Sequence, residues 1–144
     1  MRSSKKVIKI QLPEDKNEEQ IIFGLVSADP DYKISLLINR KLGISLKTAN
    51  PVEITDEKGN IISFSRFSDM SGAPDQVFSL VSNKSGNNYL LRKLKNVDFL
   101  FQYSDFYRSY DPLRITEILK ELDSITGVFR LDTEQLKEKN IRYL

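Results

Sequence analysis

The chain of 144 residues contains no cysteine, no histidine and no tryptophan. Without cysteine it can form neither a disulfide framework nor a reactive thiolate. Without histidine it cannot use an imidazole as a general acid or base, build a Ser-His-Asp triad or bind a metal through imidazole. These absences exclude several large classes of enzyme, and we expect a protein that is not an enzyme and that holds no cofactor or metal.

Glycine-rich motifs and long apolar runs are also absent. The six glycines form neither a G-x-G-x-x-G nor a P-loop pattern, and there is no G-x-S-x-G sequence. No apolar run approaches the roughly 18 residues that a membrane span requires. The basic N-terminus lacks the apolar stretch of a signal peptide. We therefore predict a cytoplasmic protein that does not bind membranes.

Length and charge favour one ordinary globular domain. The chain has 22 basic and 20 acidic residues, and its net charge of +2 is too small to imply nucleic-acid or membrane binding by itself. A hydrophobic content of 40% is normal for a soluble protein. We expect residues 1–144 to form a single domain, with residues 1–5 as a flexible tail.

Apolar residues that alternate with polar ones predict strands along most of the chain. The predicted strands cover residues 5–12, 21–27, 44–49, 52–55, 61–67, 75–82, 89–91, 97–103 and 127–131. Residues 56–60 read Asp-Glu-Lys-Gly-Asn and predict a hairpin turn in which Gly59 adopts a positive φ.

Two Asp-Pro pairs predict helix starts. Asp29-Pro30 and Asp111-Pro112 each combine an N-cap carboxylate with a proline at the first helical position. The apolar stripes of these helices are Ile34, Leu37, Ile38 and Leu42, and Ile115, Ile118, Leu119 and Leu122. Gly43 is placed to end the first helix in a left-handed conformation. Asp132 and Thr133, with Gln135, predict the cap of a short C-terminal helix that ends near Tyr143.

The order of these elements predicts an α+β fold with a single domain. We expect a mostly antiparallel sheet with two main helices on one face and a short C-terminal helix.

Asp98 is the acidic residue of greatest interest, because it stands before a run of large apolar residues. A carboxylate at the start of a strand can accept backbone amides from the preceding loop. The same residue could instead bind a partner or act as a catalytic acid. No second carboxylate is spaced to form a pair with it, so we favour the structural role.

A short basic segment precedes an aromatic strand. Arg92, Lys93 and Lys95 come before Phe99, Phe101 and Tyr103, which alternate along the strand. Cations beside ring faces are typical of proteins that bind single-stranded RNA. Alternating aromatics are equally typical of a buried core face, and we favour that interpretation of these three rings.

Three further aromatics lie in the connector between the predicted strand 97–103 and the second helix. Phe106, Tyr107 and Tyr110 could anchor this connector to the core or form an exposed contact patch. The sequence leaves both interpretations open.

Residues 91–99 read Leu-Arg-Lys-Leu-Lys-Asn-Val-Asp-Phe. This segment resembles the signature Ile-Pro-Glu-x-x-x-Val-Asp-Tyr of a small bacterial family, the IPExxxVDY family. Val97 and Asp98 match the signature, and Leu91 and Phe99 are conservative matches. Arg92 and Lys93 replace Pro and Glu, which reverses the local charge. The similarity also extends over residues 24–27, 31–33, 39–44, 82–85 and 100–102. The resemblance implies no reaction, cofactor or catalytic residue.

From the sequence we expect a small non-enzymatic domain that acts through protein contacts, as an adaptor, a regulator or a homodimer, with Phe106, Tyr107 and Tyr110 as candidate contacts. The alternative is an RNA-binding module that uses Arg92, Lys93 and Lys95.

Overall fold

The computed structural model describes residues 20–132, 134 and 139–144. The strands are β1 (Ile21–Val26), β2 (Lys47–Thr55), β3 (Ile61–Gly72), β4 (Gln76–Ser82), β5 (Lys84–Ser85), β6 (Asn88–Tyr89), β7 (Phe99–Asp105) and β8 (Gly127–Arg130). The helices are α1 (Asp31–Leu42), α2 (Pro112–Lys120) and a 3₁₀ helix at Lys139–Tyr143. The predicted strand at 5–12, the predicted tail at 1–5 and residues 133 and 135–138 of the predicted C-terminal helix lie outside the described residues.

Six strands form one sheet in the order β2-β3-β4-β7-β1-β8, and every neighbouring pair is antiparallel. Strand β7 lies in the interior, paired with β4 on one side and β1 on the other. The short strands β5 and β6 pair only with each other. The predicted α+β class with an antiparallel sheet is therefore confirmed.

Both helices pack on the same face of this sheet, as predicted. Ile34 and Ile38 of α1, with Ile115 and Leu119 of α2, belong to one buried cluster. The sheet contributes the alternate residues of its strands to the same cluster, namely Ile21, Phe23, Leu25, Phe78, Leu80, Phe99, Phe101 and Tyr103. The alternation read from the sequence therefore correctly identifies this core face.

The opposite face of the sheet carries a second buried cluster, which the sequence did not predict. Ile22, Phe64, Val81 and Leu100 form its sheet side. It is covered by the irregular segment 90–98 and by residues 141–144, which include the end of the 3₁₀ helix. Gly24 permits this covering, because a Cβ at that position would lie 3.1 Å from a methyl group of Val97.

Residues 89–91 do not join the sheet, so that part of the predicted strand pattern is wrong. Tyr89 pairs only across the small hairpin, and Leu90 and Leu91 turn their side chains into the second cluster with 0% exposure. A short apolar run looks the same in sequence whether it pairs in a sheet or packs over one.

Strand boundaries also differ from prediction at the Asn50-Pro51 sequence. Residues 44–46 lie outside the strand, and the rest of the predicted strands 44–49 and 52–55 is one strand, β2, whose register shifts between Ala49 and Val52. A bulge accommodates the proline because the extra residue does not need to donate a ladder hydrogen bond. The predicted turn at 56–60 is confirmed, with Gly59 at a φ of 84°.

The second predicted helix start is confirmed, whereas the first is shifted. Asp111 caps α2 by accepting a hydrogen bond from the N–H of Leu113. In α1 the N-cap is Pro30, which has no side-chain acceptor, and the helix begins at Asp31. The carboxylate of Asp29 pairs with Lys33 Nζ at 3.3 Å and does not take the predicted N-cap position. Gly43 ends the helix at a φ of 69°, as predicted.

Two buried side chains hold the segment 90–98 in place. Asn140 donates to the carbonyl of Leu90 at 2.7 Å, and most of the bonds come from Asn83. Its amide Nδ2 donates to the carbonyls of Leu94 and Val97, each at 2.9 Å, and its Oδ1 accepts from the N–H of Leu91 at 2.7 Å. The Asn83 backbone bonds to Leu90 and Asp98. Because Asn83 is 0% exposed, no water can replace these five bonds, and the loop depends on them.

We predict that Asn83→Ala lowers the free energy of unfolding by about 3 kcal/mol, since it leaves buried backbone groups without partners. Urea unfolding followed by circular dichroism measures this change. Asn87→Ala, at an exposed position of the same hairpin, is the matched control and should change stability by about 0.5 kcal/mol or less. Equal effects of the two substitutions would contradict the role assigned to Asn83.

Candidate functional site

Asp98 connects three parts of the fold at the start of β7. Its carboxylate accepts the N–H of Ser27 at 2.9 Å and pairs with Lys84 Nζ at 2.7 Å. Its own N–H donates to the carbonyl of Leu25 at 2.8 Å. The hydrogen bond from Lys84 to this carboxylate raises the pKa of Lys84. The amide that Asp98 accepts comes from the segment after β1, not from the loop before β7 as the sequence suggested.

A polar cavity of about 340 Å³ lies beside Asp98. Its lining includes Ser27, Asp29, Asp31, Ser82, Lys84 and Asp98. Each carboxylate has a partner of its own, because Asp29 pairs with Lys33 and Asp31 accepts the hydroxyl of Ser65 at 2.6 Å. These polar side chains are hydrogen-bonded or ion-paired to neighbours between α1 and the sheet, and no two carboxylates share a site as an acid–base pair would. Within the described residues, no group of three potential ligands is placed to hold a metal ion.

The residues that carry the family resemblance lie together, and most are core residues. Leu91 is 0% exposed, Val97 is 2% exposed and Phe99 is 6% exposed. Leu91 and Val97 pack in the second cluster, whereas Phe99 points to the helix face. The segment therefore builds the cover of the sheet, with Asp98 as its ionic link to the hairpin.

The basic segment and the aromatic strand do not form one surface. Phe101 and Tyr103 are 0% and 2% exposed beneath the helices, and Phe99 is buried with them. Arg92, Lys93 and Lys95 are exposed on the irregular segment that covers the opposite face. The strand rings therefore cannot stack on bases, in agreement with the core interpretation.

The ring that lies near the basic residues is Tyr89, which the sequence analysis did not single out. Lys84 Nζ is 5.8 Å and Lys95 Nζ is 5.9 Å from the centroid of its ring. These distances are within the range of cation–π attraction. Hairpin β5–β6 supplies Lys84 and Tyr89, and the segment held by Asn83 supplies Lys95.

The three connector aromatics divide into two groups. Tyr110 is half-buried and packs against the core, with its ring centroid 5.2 Å from that of Phe78 in an edge-to-face arrangement. Its ring therefore acts as an anchor. Phe106 and Tyr107 are 56% and 64% exposed, and their centroids are 5.5 Å apart, also edge to face. They form an exposed aromatic pair.

Two aspartates order the connector on which the aromatic pair stands. The N–H of Phe106 donates to the carbonyl of Asp75 at 2.7 Å, and the hydroxyl of Tyr107 donates to the Asp75 carboxylate at 3.1 Å. The Asp105 carboxylate accepts the N–H of Tyr110 at 3.0 Å. Arg108 takes a left-handed backbone conformation, with a φ of 53°. The pair is thus positioned by hydrogen bonds to the backbone and side chain of Asp75 and by the contact between its two rings.

Tyr103 lies at the base of a cavity of about 220 Å³ between the connector and the start of α2. Its hydroxyl donates to the carbonyl of Tyr110 at 3.3 Å. Burial raises the pKa of Tyr103 to about 12, with the charge of Arg130 opposing and those of Asp105 and Asp111 adding to the increase.

The sequence analysis did not identify Asn83, Tyr89, or the two aspartates that order the connector, Asp75 and Asp105. An aspartate at the start of a loop often accepts nearby amides, so Asp105 could have been found from its position. Asn83 precedes a polar stretch and reads as a turn residue, and nothing local indicates that it is fully buried. The position of Tyr89 near Lys95 depends on how the segment 90–98 folds back over the sheet, and the spacing of residues in the sequence does not indicate this.

None of the described helices is long and apolar enough to cross a membrane. Comparison with protein-family models, with curated proteins and with solved structures finds no match to this chain.

We predict that stability declines as the pH rises from about 10 towards about 12, partly because of Tyr103. The phenol ionises near 10.0 in the unfolded chain but near 12 in the folded protein, so its contribution is complete below 10 and is lost as the pH approaches 12. Tyr103→Phe should flatten this part of the profile, measured by urea unfolding at each pH. Tyr32→Phe, at an exposed tyrosine, should leave the decline unchanged, and a decline of equal size in both variants would contradict the assignment.

Proposed function

We propose that the protein is a non-enzymatic, cytoplasmic domain that binds a partner protein through Phe106 and Tyr107. The observation that carries this proposal is an exposed aromatic pair held in order by hydrogen bonds to Asp75.

Exposure of the pair is the first supporting feature. Both rings leave more than half of their surface to solvent, although Tyr110, three residues further on, packs into the core. Large aromatic side chains are enriched in interface centres, because they bury much area and lose few rotamers on binding.

Order of the pair is the second supporting feature. The backbone of Phe106 and the hydroxyl of Tyr107 are both bonded to Asp75 before any partner arrives. A contact surface that is already ordered loses less conformational entropy on association.

Charge indicates the chemistry of the partner. Asp75 is exposed and bonds to both residues of the pair, and Asp105 is buried next to Phe106. A partner that places an apolar side chain on the rings and a lysine or arginine near these carboxylates would be complementary to the surface. A second copy of this chain is the other occupant to test, since a self-complementary patch would form a homodimer.

We also propose that the chain belongs to the IPExxxVDY family of bacterial proteins. The support is the resemblance of residues 91–99 to the family signature. Val97 and Asp98 are its two identical positions.

We predict that Phe106→Ala/Tyr107→Ala weakens binding to the partner by roughly 30-fold, which is the effect of losing an interface hot spot. Partners are captured from ribonuclease-treated native lysate with the wild-type protein, and their affinity for each purified variant is measured by calorimetry. Sedimentation equilibrium tests the homodimer in the same variants.

Tyr32→Ala/Phe129→Ala is the matched control, because it removes two other exposed rings. It should bind as the wild type does. A partner retained by Phe106→Ala/Tyr107→Ala, or lost equally from the control, would refute the proposal. Tyr110→Ala should instead lower the melting temperature, because that ring packs on the core.

A further inference from the structure

The irregular segment 90–98 and hairpin β5–β6 together form a cationic surface with an aromatic ring in it. We define the Tyr89 surface as Lys84, Tyr89, Arg92, Lys93 and Lys95. We propose that the Tyr89 surface binds single-stranded RNA, as a second interaction site separate from the aromatic pair.

The cations of this surface face solvent because their apolar neighbours are anchored beneath them. Leu90 and Leu91 are 0% exposed, and Leu94 packs against the same second cluster. Arg92 and Lys95 alternate with these anchors and are exposed. The hydrogen bonds of Asn83 to the same segment hold its backbone. The positive charges are therefore displayed on an ordered loop.

Two of these cations have no acidic counterpart in the part of the chain that the structure describes. Lys84 is paired with Asp98 at 2.7 Å, but no ion pair joins Arg92 or Lys95 to a described acidic residue. Unpaired cations gathered on one short segment create a local positive potential, even though the net charge of the chain is only +2. Phosphate groups are the natural counterpart of such a potential.

Tyr89 adds a ring to these charges. Its centroid lies within 6 Å of both Lys84 Nζ and Lys95 Nζ, and its side chain is only half-buried. Lys95 is exposed and can move from the ring to a phosphate when a base stacks on the ring. Proteins bind single-stranded nucleic acids in this way: their cations contact the phosphate backbone, and a neighbouring aromatic ring stacks on a base.

Single-stranded RNA fits these features better than a duplex does. Bases in a duplex are stacked on each other and cannot reach a side-chain ring, whereas unpaired bases can. A surface with so few cations would contact few phosphates, so we expect modest and salt-dependent affinity.

The Tyr89 surface and the aromatic pair lie at opposite ends of β7. The strand runs from Phe99, next to Asp98, to Asp105, next to Phe106, and its seven residues span roughly 20 Å. This separation would allow a protein partner and an RNA strand to bind at the same time, as an adaptor requires. The RNA site does not depend on the protein-binding proposal, and either can fail alone.

Fluorescence anisotropy with a labelled oligouridine RNA of about 12 nucleotides tests this inference at low and at moderate salt. The wild type should bind, with a log–log salt slope of about −0.7 for each phosphate neutralised. Arg92→Ala/Lys95→Ala should weaken binding by about tenfold and reduce the steepness of that slope by about 1.4.

The matched control is Lys58→Ala/Lys120→Ala, which removes the same charge from exposed positions elsewhere. It should bind within about twofold of the wild type. Tyr89→Leu should weaken binding by at least about fivefold without changing the salt slope, and Tyr89→Phe should bind as the wild type does. Circular dichroism verifies that every variant is folded. Phe106→Ala/Tyr107→Ala should retain full RNA binding.

Three outcomes would overturn the proposal. The first is no anisotropy change with the wild type at low salt. The second is equal loss from the control and from Arg92→Ala/Lys95→Ala. The third is displacement of the RNA by polyglutamate at equal charge concentration, which would identify an acidic polypeptide as the ligand of this surface.

Discussion

The hydrogen bonds made by the side-chain amide of Asn83 are the constraint on which the covering of the second sheet face depends. This amide is fully buried and joins the end of the β4 region to Leu91, Leu94 and Val97. Without it, the N–H of Leu91 and the carbonyl of Val97 would lose their hydrogen-bond partners inside the segment that covers the second face of the sheet. Because that segment also bears Asp98 and the exposed cations, the bonds of Asn83 position both the cover of that face and a charged surface.

The sheet places two unlike surfaces at the ends of its strand β7. At one end, Asp98 links the strand to Lys84 and to the hairpin that carries Tyr89. At the other end, Asp75 and Asp105 order a connector whose outer rings face solvent. In both places hydrogen bonds help to position the side chains that we propose to be functional, and at the Tyr89 surface the buried Leu90 and Leu91 contribute as well. The apolar residues of the sheet build the two buried clusters.

Parts of the candidate sites could be predicted from local rules, and parts could not. The sequence correctly placed Phe99, Phe101 and Tyr103 on a core face, because alternation along a strand reports the buried side directly. It could not decide between anchoring and exposure for Phe106, Tyr107 and Tyr110, because buried and exposed residues do not alternate regularly along a connector. The structure separates them, with Tyr110 against Phe78 and the other two in solvent.

The sequence by itself determined the α+β class, the capping of α2 by Asp111, the end of α1 at Gly43 and the hairpin turn at Gly59. The fold class follows from the order of the elements along the chain, and the two caps and the turn depend on residues within a few positions of one another, where backbone sterics and capping act. Only the tertiary structure decided that Leu90 and Leu91 cover the sheet, that Asn83 is buried and that Tyr89 lies beside Lys95. Those outcomes depend on contacts between residues distant in sequence, and they are selected by the packing of a whole face.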